Sequence, residues 1–153
     1  MAIHLLERTQ LLPISVEECW AFFSDPRNLE KLTPPSVDLK PLGECPPAIY
    51  AGMMIQYRVR PLLGIPMSWL TEITHVDPLR YFADSQRIGP YRLWNHEHFF
   101  KPAGPRSVEM RDRVHYALPF GFLGDLMHAA LVRKELERIF AYREEAVRRL
   151  FPG

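Results

Sequence analysis

Along the last third of the chain, apolar and polar residues first alternate in twos and then fall into a helical period. Tyr91 to Lys101 and Ser107 to Leu118 both carry the two-residue alternation of a β-strand, with Pro102-Ala-Gly-Pro105 as the turn between them. Beyond Pro119-Phe-Gly-Phe-Leu-Gly124 the spacing lengthens. Leu126, Ala129, Val132, Leu136, Ile139, Phe140, Val147 and Leu150 form one apolar stripe of a helix predicted over about Leu123 to Leu150. Arg143 falls on that stripe too. A hairpin leading into one long helix suggests a curved sheet wrapped around it.

Upstream, Ile3 to Leu11 is a strand candidate with Ile3, Leu5 and Leu11 on one side. Ser15 then stands as a helix N-cap with Glu18 three residues on, the spacing of a capping box, and Ile14 can staple against Cys19. Trp20, Phe22 and Phe23 supply that helix's apolar face. Asp25-Pro26 reads as a second helix start, anchored by Leu29 and Leu32 and stopped by Thr33-Pro34-Pro35. Further strands are predicted at about Val37–Gly43, Met53–Arg60, Met67–Val76 and Tyr81–Arg87. Most of the chain's 15 prolines fall between these elements. Such short connections join antiparallel neighbours, so the strands form a meander.

The expected fold is therefore a single α+β domain covering residues 1–153, with a seven-stranded curved antiparallel sheet around a long C-terminal helix. At this length roughly 70% of the unfolded chain's surface is buried, enough for a core and an internal pocket. A formal net charge of +1 gives no electrostatic footprint for nucleic acid, so no nucleic-acid partner is expected. The basic residues of the last helix interleave with Glu135, Glu137, Glu144 and Glu145, as on a solvated face. No apolar run approaches the roughly 20 residues of a membrane span, and the first residues lack the pattern of a signal peptide. Cys19 and Cys45 form no metal or redox motif. A cytoplasmic location is the expectation.

Four stretches carry a resemblance. They are Ser15-Val-Glu-Glu-Cys-Trp-Ala-Phe-Phe-Ser-Asp-Pro-Arg-Asn-Leu29, Gly89-Pro-Tyr-Arg-Leu-Trp-Asn-His-Glu-His-Phe99, Met110-Arg-Asp-Arg-Val-His-Tyr-Ala-Leu-Pro-Phe-Gly121 and Ile139-Phe-Ala-Tyr-Arg143. With the order of elements, they resemble a subgroup of small bacterial proteins of the START/birch-pollen-allergen-like helix-grip superfamily, SRPBCC, over essentially the whole chain. The resemblance implies an apolar cavity between sheet and last helix. That superfamily includes lipid and hormone carriers, polyketide cyclases and aromatases, and chaperone cofactors, so fold alone does not choose a function.

Period two assigns faces. Trp94, His96, His98 and Phe100 share one side of their strand, and Val108, Met110, Asp112, Val114 and Tyr116 share one side of the next. The opposite side of the latter, Glu109, Arg111, Arg113 and His115, belongs in water. Phe82, Asp84 and Gln86 form a similar inward set, and Asp84 needs a donor from His96, His98 or Arg143. Unpaired polar groups cost roughly 1–3 kcal/mol to bury, so these must pair with one another, meet water or meet a ligand. An inert hydrogen-bond network is one reading, and ligand orientation in an apolar pocket is another. For catalysis, His96 oriented by Asp112 is the candidate base and Tyr116 the candidate acid or oxyanion donor. His96-x-His98 with Asp112 could begin a metal site, but Lys101 and Pro102 stand where a further ligand belongs; no metal and no cofactor are expected.

The reading drawn is a domain that binds a small, largely hydrophobic molecule between sheet and helix. Its expected contacts are Tyr57, Trp69, Phe82, Trp94, His96, His98, Met110, Asp112, Val114, Tyr116, Phe120, Phe122, Val132, Leu136 and Phe140. An enzyme of the polyketide cyclase/dehydratase type using the same residues is the second reading. A third is a protein-interaction module with a solid core. It would act through the apolar tips Phe120–Phe122 and Leu62–Ile65, which can also meet a second copy in a homodimer.

Overall fold

A computed structural model describes residues 1–153. Strand β1 (His4–Leu12) leads into helix α1 (Val16–Phe23), a 3-10 segment (Pro26–Leu32) and a 3-10 turn (Pro35–Val37). Strands β2 (Lys40–Pro41), β3 (Met54–Val59), β4 (Met67–Asp77), β5 (Tyr81–Ile88), β6 (Leu93–Gly104) and β7 (Ser107–Ala117) follow. The chain closes with α2 (Gly121–Met127), a π-helical turn (His128–Val132) and α3 (Arg133–Leu150), which run on as one long helix. All pairings are antiparallel in a seven-stranded sheet of order β1-β7-β6-β5-β4-β3-β2, a meander with β1 closing against β7. This is the expected α+β helix-grip arrangement.

Local chemistry explains the starts. Ser15 Oγ accepts the Glu18 N–H at 3.2 Å while the Glu18 carboxylate accepts the Ser15 N–H at 3.1 Å. Such a cap is worth about 1 kcal/mol. Asp25 accepts from the Arg27 N–H at 3.0 Å, but the segment it caps is 3-10. Gly121 adopts φ +51° where the chain turns into the last helix, and Gly124 allows that helix to lie on the Pro119 carbonyl, where a Cβ would collide.

Two expectations need correction. The second strand shrinks from Val37–Gly43 to Lys40–Pro41. Pro34 and Pro35 set up the 3-10 turn that takes Val37, and Asp38 sits at φ +50°, outside strand geometry. On the last helix, Leu126 is exposed and so is Ala129, whereas Gly124, His128, Val132, Leu136 and Phe140 are buried. These recur in steps of four, which drift off one face of an α-helix at 3.6 residues per turn. The wider π turn absorbs the drift, so the buried line reaches the sheet without Leu126 and Ala129.

The helix packs through two clusters. Ala146 and Val147 meet Leu12, Cys19, Phe82, Phe100, Val108 and Met110 at one end. Val132, Leu136 and Phe140 meet Trp94, Val114, Tyr116 and Leu118 at the other. A third cluster, Val37, Met53, Ile55, Tyr57, Val59 and Ile73, lines the β3–β4 side. No helix is long and apolar enough to cross a membrane.

Candidate functional site

The alternation in β6 and β7 turns Trp94, His96, His98, Phe100, Val108, Met110, Asp112, Val114 and Tyr116 inward. Register then brings the polar members together. Asp84 on β5 lies opposite His96, and His98 lies opposite Asp112. His96 Nε2–H donates to Asp112 Oδ1 at 2.8 Å, and His98 Nε2–H donates to Asp84 Oδ2 at 2.8 Å. His98 Nδ1 is 3.3 Å from Asp112 Oδ1 without the geometry of a hydrogen bond. From α3, Arg143 reaches the same oxygen at 3.5 Å. The imidazoles of His96 and His98 stack at 3.8 Å, and Phe82 stacks on His98 at 3.9 Å.

Asp112 is 4% exposed, and burial alone would favour its neutral acid. Arg143, His96 and His98 outweigh burial and hold it well below the usual carboxylate range. Burial opposes a charge on His98 also, but the Asp112 and Asp84 carboxylates raise its pKa. His96 is lowered, by burial first and by the neighbouring His98 second. A neutral His96 donating from Nε2 leaves Nδ1 as an acceptor. Burial pushes the Cys19 thiol up to about 12, which leaves no thiolate nucleophile there.

Arg143 is the least satisfied member. Its guanidinium carries five N–H donors, yet it is 8% exposed, makes only the long contact to Asp112, and has no partner for Nε. Its Cζ lies 5.4 Å from the Phe23 ring centre. A buried ion still costs several kcal/mol unless its donors are satisfied.

These groups form the polar part of the wall of a cavity of about 200 Å³ between β3–β6, the first 3-10 segment and α3. Of the expected contact residues, Tyr57, Trp69, Phe82, Trp94, His96, His98, Leu136 and Phe140 stand on this wall. Met110 is packed into the cluster around Leu12 and Cys19, and Val114 and Tyr116 into the one around Trp94. Asp112 reaches the wall only through the histidines and Arg143. Phe120 and Val132 border a second hollow of about 190 Å³, which shares Pro61, Tyr91 and Ile139 with the first. Phe122 is 78% exposed and borders neither. Wall residues not expected include Ile55, Val59 and Ile73. Ile55 and Val59 flank Tyr57 at two-residue spacing, so the period of β3 was a signal for both.

A second polar cluster lies away from the cavity. Tyr116 Oη and His128 Nε2 are 2.8 Å apart, and His4 stacks on His128 at 3.4 Å. Here burial, His4 and Arg133 lower the His128 pKa.

Asp84, His96 and His98 offer ligand atoms within 4.8 Å of one another. A metal binds along the lone pairs in the imidazole planes. Rings stacked face to face at an interplanar angle of 28° send those lone pairs out nearly side by side, and the Arg143 cation stands next to them. The arrangement suits hydrogen bonding better than coordination.

No family model matches the chain, and no curated protein matches it. Solved structures do. The protein CV1439 from Chromobacterium violaceum superposes with a TM-score of 0.72 at 14% identity, covering 98% of this chain and 99% of that one. A START superfamily protein from Mycobacterium smegmatis gives 0.70 at 15% identity over 96% and 99%. The Zhui aromatase/cyclase from Streptomyces sp. R1128 gives 0.69 at 15% over 99% and 98%. The chain has the SRPBCC/START-like fold.

Proposed function

We propose that the protein binds a small, largely hydrophobic molecule in the space between sheet and C-terminal helix. The observation that carries this reading is the cavity of about 200 Å³ with its mostly apolar wall and one polar flank. Small-molecule sites have this form, an apolar enclosure with a few convergent polar groups. Burial of the guest's apolar surface supplies the affinity, about 25 cal/mol per Å² before the costs of association. His96, His98, Asp84 and Arg143 supply orientation.

Calorimetric titration with propylbenzene tests it. Stoichiometric binding is expected, and Ile55→Phe, which adds bulk to the wall, abolishes it while the protein stays folded. Binding unchanged by Ile55→Phe, or no binding by the unaltered chain, contradicts the proposal.

A second reading, acid–base chemistry of the cyclase type, draws support from the His96–Asp112 hydrogen bond at the cavity wall and from the likeness to the Zhui aromatase/cyclase. Tyr116 is poorly placed as its acid, because its hydroxyl pairs with His128 away from the wall. Turnover that disappears in His96→Ala, with propylbenzene affinity retained, distinguishes an enzyme from a binder.

A further inference from the structure

We infer that the guest is an amphipathic carboxylic acid, its carboxylate held by Arg143 beside His98 and its body, roughly ten non-hydrogen atoms in all, lying in the apolar part of the cavity. This rests on the ligand-binding reading above and names the ligand class for it.

Unspent donors carry the inference. Arg143 lines the cavity and is 8% exposed, yet Asp112 at 3.5 Å is its only polar partner. Its Nε has no partner, and His98 Nδ1 meets only Asp112 Oδ1, at 3.3 Å and without hydrogen-bond geometry. Buried N–H groups are normally paired, so an unpartnered guanidinium N–H beside a hollow calls for an acceptor inside it. A guanidinium fork fits a planar carboxylate through two parallel hydrogen bonds. The β3–β4 side, with Ile55, Val59 and Ile73 interleaved with only Tyr57 and Thr71, is mostly apolar and fits a hydrocarbon or aryl body. Size sets the third limit. A cavity of 150 Å³ takes benzene, so about 200 Å³ takes a guest of roughly ten non-hydrogen atoms.

The test compares 3-phenylpropionate, its amide 3-phenylpropionamide and propylbenzene by calorimetry on the full chain. The acid is expected to bind about 10- to 100-fold tighter than the amide. Arg143→Met should bring the acid down to the amide's level and leave the amide unchanged. If Arg143→Met does not fold, the unaltered protein decides alone: acid binding at least 10-fold tighter than amide binding supports the inference, and a smaller ratio overturns it. Equal or tighter amide binding also overturns it, as does propylbenzene binding without the acid, and both leave the cavity reading standing. Failure of all three guests sinks the cavity reading with it.

Discussion

Asp112 and Tyr116 stand four residues apart on one face of β7, and each anchors a buried polar cluster, but the clusters are finished to different degrees. The Tyr116 hydroxyl meets His128 at 2.8 Å, with His4 stacked behind; only His4 Nε2 lacks a partner, and packed apolar side chains surround the group. Asp112 gathers His96, His98 and Arg143, and that group borders open space with donors to spare. What differs is the element opposite. Facing Tyr116, the π turn brings in a histidine of matching reach; facing Asp112, α3 presents a long cation beside a hollow. Inward polar residues on a sheet are raw material, and the opposing helix decides whether they become a clasp or a site.

The largest expected difference lies in deleting each anchor. Asp112→Asn leaves Arg143 and His98 without their shared carboxylate and should destabilise the fold by about 3–5 kcal/mol in urea unfolding. Tyr116→Phe removes one neutral hydrogen bond and should cost about 1–2 kcal/mol. Propylbenzene affinity should survive Tyr116→Phe. Equal costs for the two substitutions would erase the contrast.

A subtler separation is in pH. The folded pKa of His98 is raised above its ordinary 6.5, so its contribution is complete below 6.5 and is lost as pH rises through the folded value. That of His128 is lowered, so its contribution holds above 6.5 and is lost as pH falls through the folded value. Unfolding free energies across pH 5–8 should therefore diverge from those of His98→Gln on the acid side and from those of His128→Gln on the alkaline side. The same dependence in both variants would contradict the assignment. The smallest effect belongs to a residue of neither cluster: Phe122→Asp, at a side chain 78% exposed, should leave stability within about 0.5 kcal/mol.

The fold was legible wherever local chemistry and period agreed. Ser15 and Glu18 announce α1 by their reciprocal spacing, and the alternation in β6 and β7 assigns their faces. Where a local rule gave way to geometry several residues off, reading failed. Pro34-Pro35 shortened β2, and the π turn at His128–Val132 displaced Leu126 and Ala129 from the buried line. His96 could be matched with Asp112 because both fall on the inward face, although register sets His98 opposite Asp112, and Asp84 could be marked as needing a donor. Which of these reach the cavity could not be read, because that depends on how far α3 stands from the sheet. Arg143 was visible as a charge on an apolar stripe, while its lack of partners exists only in three dimensions.

Crystals pressurised with xenon test the central claim most directly, since a dry apolar cavity takes up that gas. Ordered xenon among Ile55, Ile73 and Phe140 is the result predicted here. No xenon there, with side chains from β3, β4 and α3 meeting across the gap, would contradict the account.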